Sequence, residues 1–180
     1  MNARRISILV SICLACWACS GVQPSSKADW TANPDHVESE QLLFTARLTP
    51  QKSEAPFYTS FLLMVANKSE MELTVDWNAS KYLFNGRAQG ALVFQGIDPE
   101  GVKTGSVPPD KVAAGQVFTR RVMPLRLIAW NPLKENSSKT PNIRPGMIPA
   151  GRNGIRLVIR HAGGHTVIPM SVQISRDDSP

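Results

Sequence analysis

No cysteine follows position 19, which excludes disulfide bonds as the staple of any domain built from the rest of the chain. Long apolar runs are also missing. The longest N-terminal stretch, Ile6 to Ala18, has about thirteen residues, short of the ~20 that a bilayer core requires, and this argues against a transmembrane anchor. No segment sustains a helical period, and no Asp or Glu lies between residues 136 and 176. Roughly 160 residues remain after the apolar stretch, enough to bury about 70% of the unfolded surface, so a hydrophobic core has to hold the fold unaided.

What is present begins with the N-terminus. Arg4 and Arg5 precede the apolar stretch, which closes on the small residue Ala18, the layout of a secretory signal peptide over residues 1–18. The segment Ala15-Cys16-Trp17-Ala18-Cys19-Ser20-Gly21 resembles a bacterial lipobox, in which a small residue precedes the cysteine that is lipidated and becomes residue one. Cys19 fits best between Ala18 and Ser20, although Cys16 stands where leucine is usual and Trp17 is bulky there. Cys16, preceded by Leu14 and Ala15, is the alternative. Ordinary cleavage after Ala15 or Ala18 would instead release an unlipidated protein. Residues 19–40 are polar and without periodicity, and read as a flexible tether; twenty such residues span about 25 Å.

From residue 41 to 176 the chain reads as short β-type runs divided by turn chemistry. Leu42, Phe44, Ala46 and Leu48 alternate with Leu43, Thr45 and Arg47. Phe57 to Ala66 is apolar on both parities, as in a central strand. Met71, Leu73, Val75 and Trp77 alternate with polar residues, Asn85-Gly86 is a hairpin turn, and Ala91 to Gln95 reads as its returning strand with Gly90 at a bulge. Val117 to Met123, Ile155 to His161 and Thr166 to Ser175 complete the set, while 131–153 is long for a loop in a compact domain. The expected fold is all-β, a two-layer antiparallel sandwich of about seven or eight strands with an immunoglobulin-like arrangement. A closed barrel is the alternative.

Val65-Ala66-Asn67-Lys68-Ser69, Leu73-Thr74-Val75-Asp76-Trp77-Asn78, Ser80-Lys81-Tyr82 and Asn85-Gly86-Arg87, then Pro108-Pro109 and Gly154 ahead of Leu157, resemble uncharacterised bacterial envelope lipoproteins with an immunoglobulin-like sandwich. The resemblance covers roughly residues 57–160. It implies a fold and a location, and it supplies no catalytic residues.

Catalytic chemistry finds little material. There is no G-x-S-x-G elbow, no thiol after Cys19 and no phosphate-binding glycine loop, so an enzyme, a cofactor and nucleotide binding are not expected. His161 and His165 flank a Gly163-Gly164 turn and His36 is remote, too few ligands for a zinc site. The sequons at Asn67, Asn78 and Asn136 read as turn chemistry. Removing Arg4 and Arg5 leaves 18 basic against 14 acidic residues, a charge of +4; residues 19–110 carry 7 Lys/Arg and 11 Asp/Glu, residues 111–180 carry 11 and 3. Arg120, Arg121, Arg156 and Arg160 are the candidate face for an anionic partner, on the condition that their two strands are neighbours. Nucleic acid is not an expected partner of an exported chain. Leu62 and Met64 would leave an apolar outer patch, which the loop after Trp130 is expected to cover, with a partner protein as the alternative. The favoured role is a lipid-anchored, non-enzymatic structural or interaction module of the cell envelope, at the outer membrane facing the periplasm, touching an envelope protein or an anionic polymer. The competing role is a periplasmic binding protein for an anionic ligand or polymer.

Overall fold

The apolar alternations become the walls of a single core in the computed structural model, which describes residues 29–97, 99–130 and 143–177. In chain order the elements are β1 (Asp29–Asn33), β2 (Val37–Glu40), β3 (Phe44–Lys52), β4 (Tyr58–Asn67), β5 (Leu73–Val75), β6 (Lys81–Phe84), β7 (Arg87–Ala88), β8 (Leu92–Val93), α1 (Pro99–Lys103), β9 (Asp110–Val112) and β10 (Val117–Pro124), followed by a 3-10 turn, Leu125–Leu127, and β11 (Ile128–Trp130), β12 (Ile143–Pro145), β13 (Gly151–His161) and β14 (Gly164–Asp177). The first sheet runs β1-β14-β13-β5-β9, with β6 also on β13 and β7 on β6; the second runs β2-β3-β4-β10-β8; β11 and β12 form a separate ribbon. All pairings are antiparallel.

The order β3-β4-β10-β8 in one layer and β5-β13-β14 in the other is the A-B-E-D and C-F-G order of an immunoglobulin-like sandwich, as the sequence led one to expect. Phe44, Ala46, Leu48, Phe61, Leu63 and Val65 from the second sheet meet Leu73, Val75, Ile155, Leu157, Ile159, Met170, Val172 and Ile174 from the first, each buried. Period-two alternation places every one of these side chains on the inner face of its strand.

Several expectations shift. Residues 29–40, read from the sequence as part of the tether, carry two strands of the sheets: β1 pairs with the end of β14 and β2 with β3. Trp30 is the reason, since its buried ring meets Phe57 edge-on with centroids 6.5 Å apart; one aromatic among polar neighbours leaves no readable period. Leu42 lies in the turn before β3 and is 93% exposed. Asn85 and Gly86 both take positive φ (49° and 78°) and close the β6–β7 hairpin, as their chemistry demands. The run after them follows β6 only as far as Gly90, with Gln89 N donating to Tyr82 O and Tyr82 N to Gly90 O. It turns at Gly90, φ 119°, and crosses to the other layer, where Leu92 and Val93 pair with β10. Fourteen strands among the described residues, against the seven or eight expected, reflect such short pieces.

Polar clamps do part of the work that a disulfide does elsewhere. Trp77, buried just after β5, packs on Phe94 (centroids 5.0 Å) and Phe118 (6.3 Å), and its Nε1 donates to Asp110 Oδ2 at 2.9 Å. The other oxygen of Asp110, on β9, accepts from Arg120 Nη2 on β10 at 2.7 Å, tying the two layers. Asn67, buried at the end of β4, donates Nδ2 to the carbonyls of Met71, Val112 and Ala113, and its Oδ1 accepts from Ser69. Asn78 and Val107 exchange two hydrogen bonds in the same manner. The amides of these two sequons are therefore structural; Asn136 lies outside the described residues.

The C-terminal part of the long 131–153 segment is folded, and residues 131–142 lie outside the described residues. Ile148 is fully buried and its amide donates to Tyr58 O. Tyr82 Oη donates to Asn153 Oδ1 at 2.5 Å, and Asn153 Nδ2 donates to the carbonyls of Pro149 and Gly151. Burial pushes the Tyr82 phenol up to about 12, against a small opposite pull from Arg126.

The Asn67 hub gives a direct test. Replacing Asn67 with Ala strands three buried or half-buried carbonyls, and the expected loss is about 2–3 kcal/mol in urea unfolding, with the m-value unchanged. A loss within about 0.5 kcal/mol, the range of an ordinary surface change, would show that the hub is dispensable.

Candidate functional site

Arg156 and Arg160 lie on the outer face of β13, two alternations apart with Val158 between them. Beside them on the same face are their β14 partners, Pro169 opposite Arg156, Val167 opposite Val158 and His165 opposite Arg160. On the other flank β13 has an interrupted neighbour. β5 pairs with Ile159 and Arg160, β6 pairs with residues 153–156, and neither covers Val158.

The connection between β5 and β6 fills that gap with hydrogen bonds in place of a strand. Asp76 N donates to Val158 O at 3.0 Å, and the Val158 amide donates to Ser80 Oγ at 3.0 Å. Ser80 is held in turn by donating N–H and Oγ–H to Asp76 O, at 2.9 and 2.7 Å. A buried backbone group left without a partner costs about 1–3 kcal/mol, so Ser80 completes the ladder rather than decorating it. The result is an open groove of about 500 Å3 lined by Asp76, Ala79, Arg156, Val158, Arg160, Gly164, His165 and Val167.

Electrostatics in the groove are set by one buried acid. Asp76, 5% exposed, accepts from the Ala79 amide at 3.0 Å and from Arg160 Nε and Nη2 at 2.7 and 2.5 Å. Burial alone would raise its pKa, but the Ala79 and Asn78 amides and the Arg160 guanidinium outweigh it and hold the carboxyl below its usual value. Arg156 has no acidic partner among the described residues. Its other cross-strand neighbour, Lys81, donates Nζ to Asn78 O.

The four arginines singled out in the sequence do not form one face. β10 belongs to the second sheet and β13 to the first, so the neighbouring of strands on which the single face depended does not occur. Arg120 points inward: it pairs with Leu63 across β4, salt-bridges Asp110, and lies 4.7 Å from the Phe94 ring centroid and 5.3 Å from that of Phe118. Its Nε is buried without a hydrogen-bond partner among the described residues. Arg121 is exposed on the outer side of the second sheet, opposite Leu62. Leu62 and Met64 are half-buried there, flanked by Thr49 and Arg47 on β3 and by Arg121 and Thr119 on β10. Polar neighbours thus shield part of the apolar patch, and the central loop residues expected to cover it lie outside the described residues.

His161 and His165 do not converge. His165 pairs with Arg160 and faces the groove, whereas His161 pairs with Gly164 on the opposite parity and its Nε2 contacts Thr166 Oγ1 at 3.2 Å. Among the described residues no three His, Cys, Asp or Glu side chains gather as a metal site. The lipidation candidates Cys16 and Cys19 lie outside the described residues.

Asp76, Ser80 and the paired Val158 and Val167 were not singled out by their residue types. The available signal was Asp76-Trp77-Asn78-Ala79-Ser80, where the alternation of β5 stops on residues that bond their own backbone.

The depressed Asp76 pKa sets a pH dependence. Its contribution is complete above the unfolded carboxyl value of about 3.9 and is lost as pH falls through the lower folded value. Arg160→Gln should therefore cost about 1 kcal/mol at neutral pH, the discount reflecting a guanidinium that is largely exposed, and the gap to the parent should narrow below pH ~4. A gap that stays constant from pH 6 to pH 2 in urea unfolding would contradict the coupling. Comparison with protein-family models, with curated proteins and with solved structures finds no match for this chain.

Proposed function

We propose that the chain is an exported lipoprotein, anchored through Cys19 at the outer membrane and facing the periplasm, whose sandwich serves as a non-enzymatic interaction module of the cell envelope. The support is a polarity in the domain. The described chain starts at Asp29, which pairs with Asp177 and lies 3.8 Å from Lys52, at one end of the sandwich. Arg160 and His165 lie at the other, beside the β13–β14 turn. The twelve steps of β14 from His165 to Asp177 correspond to up to about 40 Å at ~3.3 Å per residue. A lipid at Cys19 would lead into the domain from the end opposite the groove.

Exposed apolar side chains gather at the groove's end of the sandwich as well. Leu42, Met71 and Val117, 93%, 49% and 60% exposed, sit in the β2–β3 and β4–β5 connections and at the start of β10. Asn67 N donates to Gln116 O and Lys68 N to Leu43 O, so these turns adjoin one another at the distal end. The second reading, a binding protein for an anionic ligand, is favoured by the groove itself, because Arg156 and Arg160 flank its apolar floor.

Labelling cells with a fatty acid analogue tests the anchor. Label is expected on the parent and on Cys16→Ala and absent from Cys19→Ala. Label retained on Cys19→Ala and lost on Cys16→Ala would move the anchor, and label on the double substitution would overturn lipidation at either cysteine.

A further inference from the structure

We infer that the groove over Val158 binds a small, soluble amphipathic anion: a phosphate monoester whose charge is held between Arg156 and Arg160 and whose apolar substituent rests on Val158 and Val167. This rests on the reading of the domain as a non-enzymatic binding module and names its ligand class.

Position is the first ground. Residues 156 and 160 share one face of β13, with Cα atoms about 13 Å apart at ~3.3 Å per residue. Long arginine stems from both sides can reach over the intervening valine. A planar carboxylate matches one guanidinium fork, whereas a tetrahedral phosphate offers acceptor oxygens toward donors arriving from opposite sides.

The state of the two arginines is the second. Asp76 fixes Arg160 through Nε and Nη2, and its Nη1 donates to no group among the described residues. Arg156 has no carboxylate at all among them. Two guanidinia against one buried carboxylate leave the cluster positive, with Lys81 adjoining it. One arginine is thus preorganised by an acid whose own oxygens are occupied, and the other is available to close on a ligand.

The floor is the third. Val167 is 47% exposed while Val158 opposite it is 6% exposed, and Ala79 continues the apolar lining. Val167, exposed on β14 beside the arginine pair, serves no packing role in the core, but it suits the aliphatic part of a ligand. The groove volume of about 500 Å3 lies within the ~300–1,000 Å3 usual for small-molecule sites, which are mostly apolar with a few placed polar groups. The groove lies at the end opposite Asp29, into which a lipid at Cys19 would lead, and this favours a dissolved ligand over head groups of the anchoring membrane.

The test is a calorimetric titration of the purified full chain, in non-ionic detergent, with n-butyl phosphate, inorganic phosphate and n-butanol. Saturable binding of butyl phosphate is expected, tighter than either fragment, about tenfold weaker in Arg156→Gln, as for loss of a charge-assisted hydrogen bond, and unchanged in Arg121→Gln on the other sheet. Val167→Asn, at an exposed position, should bring butyl phosphate down toward inorganic phosphate. Equal affinity for inorganic and butyl phosphate, equal weakening by Arg121→Gln, or no saturable binding would each overturn the proposal. So would Arg156-dependent capture by phosphatidylglycerol vesicles that butyl phosphate fails to displace, which would place the anion in a membrane. Release of inorganic phosphate from butyl phosphate would instead contradict the non-enzymatic reading while leaving the groove assigned, and loss of the lipid label would contradict the anchor without touching the titration.

Discussion

Val158 is where β13, the central strand of the larger sheet, loses its neighbour on one flank, and two hydrogen bonds from the Asp76–Ser80 turn make good the loss. Had β5 run on into β6 as one strand, the outer face of β13 would be an ordinary row of cross-strand pairs. The break instead lets the chain step away from the sheet for the length of the turn. Val158 then floors a groove, and the arginines on either side become its walls. The same turn places the Asp76 carboxylate where the Arg160 guanidinium must meet it. The site is thus a by-product of how one backbone gap is satisfied, and its geometry is as firm as those bonds.

The absence of cysteine beyond position 19 has a structural counterpart. Immunoglobulin-like domains commonly join their layers by a disulfide packed on a tryptophan of strand C. Here Trp77 follows that strand, and its hydrogen bond to Asp110 together with the Asp110–Arg120 salt bridge forms one polar link between layers, beside that of Asn67 to Val112 O. An ion pair of this kind contributes modestly to stability, because desolvation offsets much of its attraction, but removing one partner would strand the other. Its value lies in fixing how β9 and β10 sit relative to each other. The apolar core supplies the stability.

The layer architecture was legible in the sequence because it rests on period two. Leu73, Val75, Ile155, Leu157, Ile168 and Met170 announce their inward face by alternation alone, and Asn85-Gly86 announces its turn by the need for positive φ. The strand that Trp30 anchors was not legible, since a single aromatic gives no period. Nor was the crossing at Gly90, because a run such as Leu92-Val93 looks the same whichever layer it joins. Among site residues, Arg156 and Arg160 stood out by charge and spacing. Grouping them with Arg120 and Arg121 failed because strand neighbours are a property of topology, and Arg120 lies on the inward parity of β10, where Asp110 claims it. Ser80 was hidden inside a sequon-like triplet, its hydroxyl committed to a backbone amide 78 residues away.

Amide hydrogen exchange at Val158 tests the account most directly. If Ser80 completes the ladder of β13, the Val158 amide of the parent protein is protected to the same degree as those of Leu157 and Ile159. In Ser80→Ala its protection falls toward that of an exposed amide, while Leu157, whose bonds run to β14, keeps most of its own. A Val158 amide that exchanges freely in the parent, or one that stays fully protected in Ser80→Ala, would contradict the claim that this turn repairs the strand and shapes the groove.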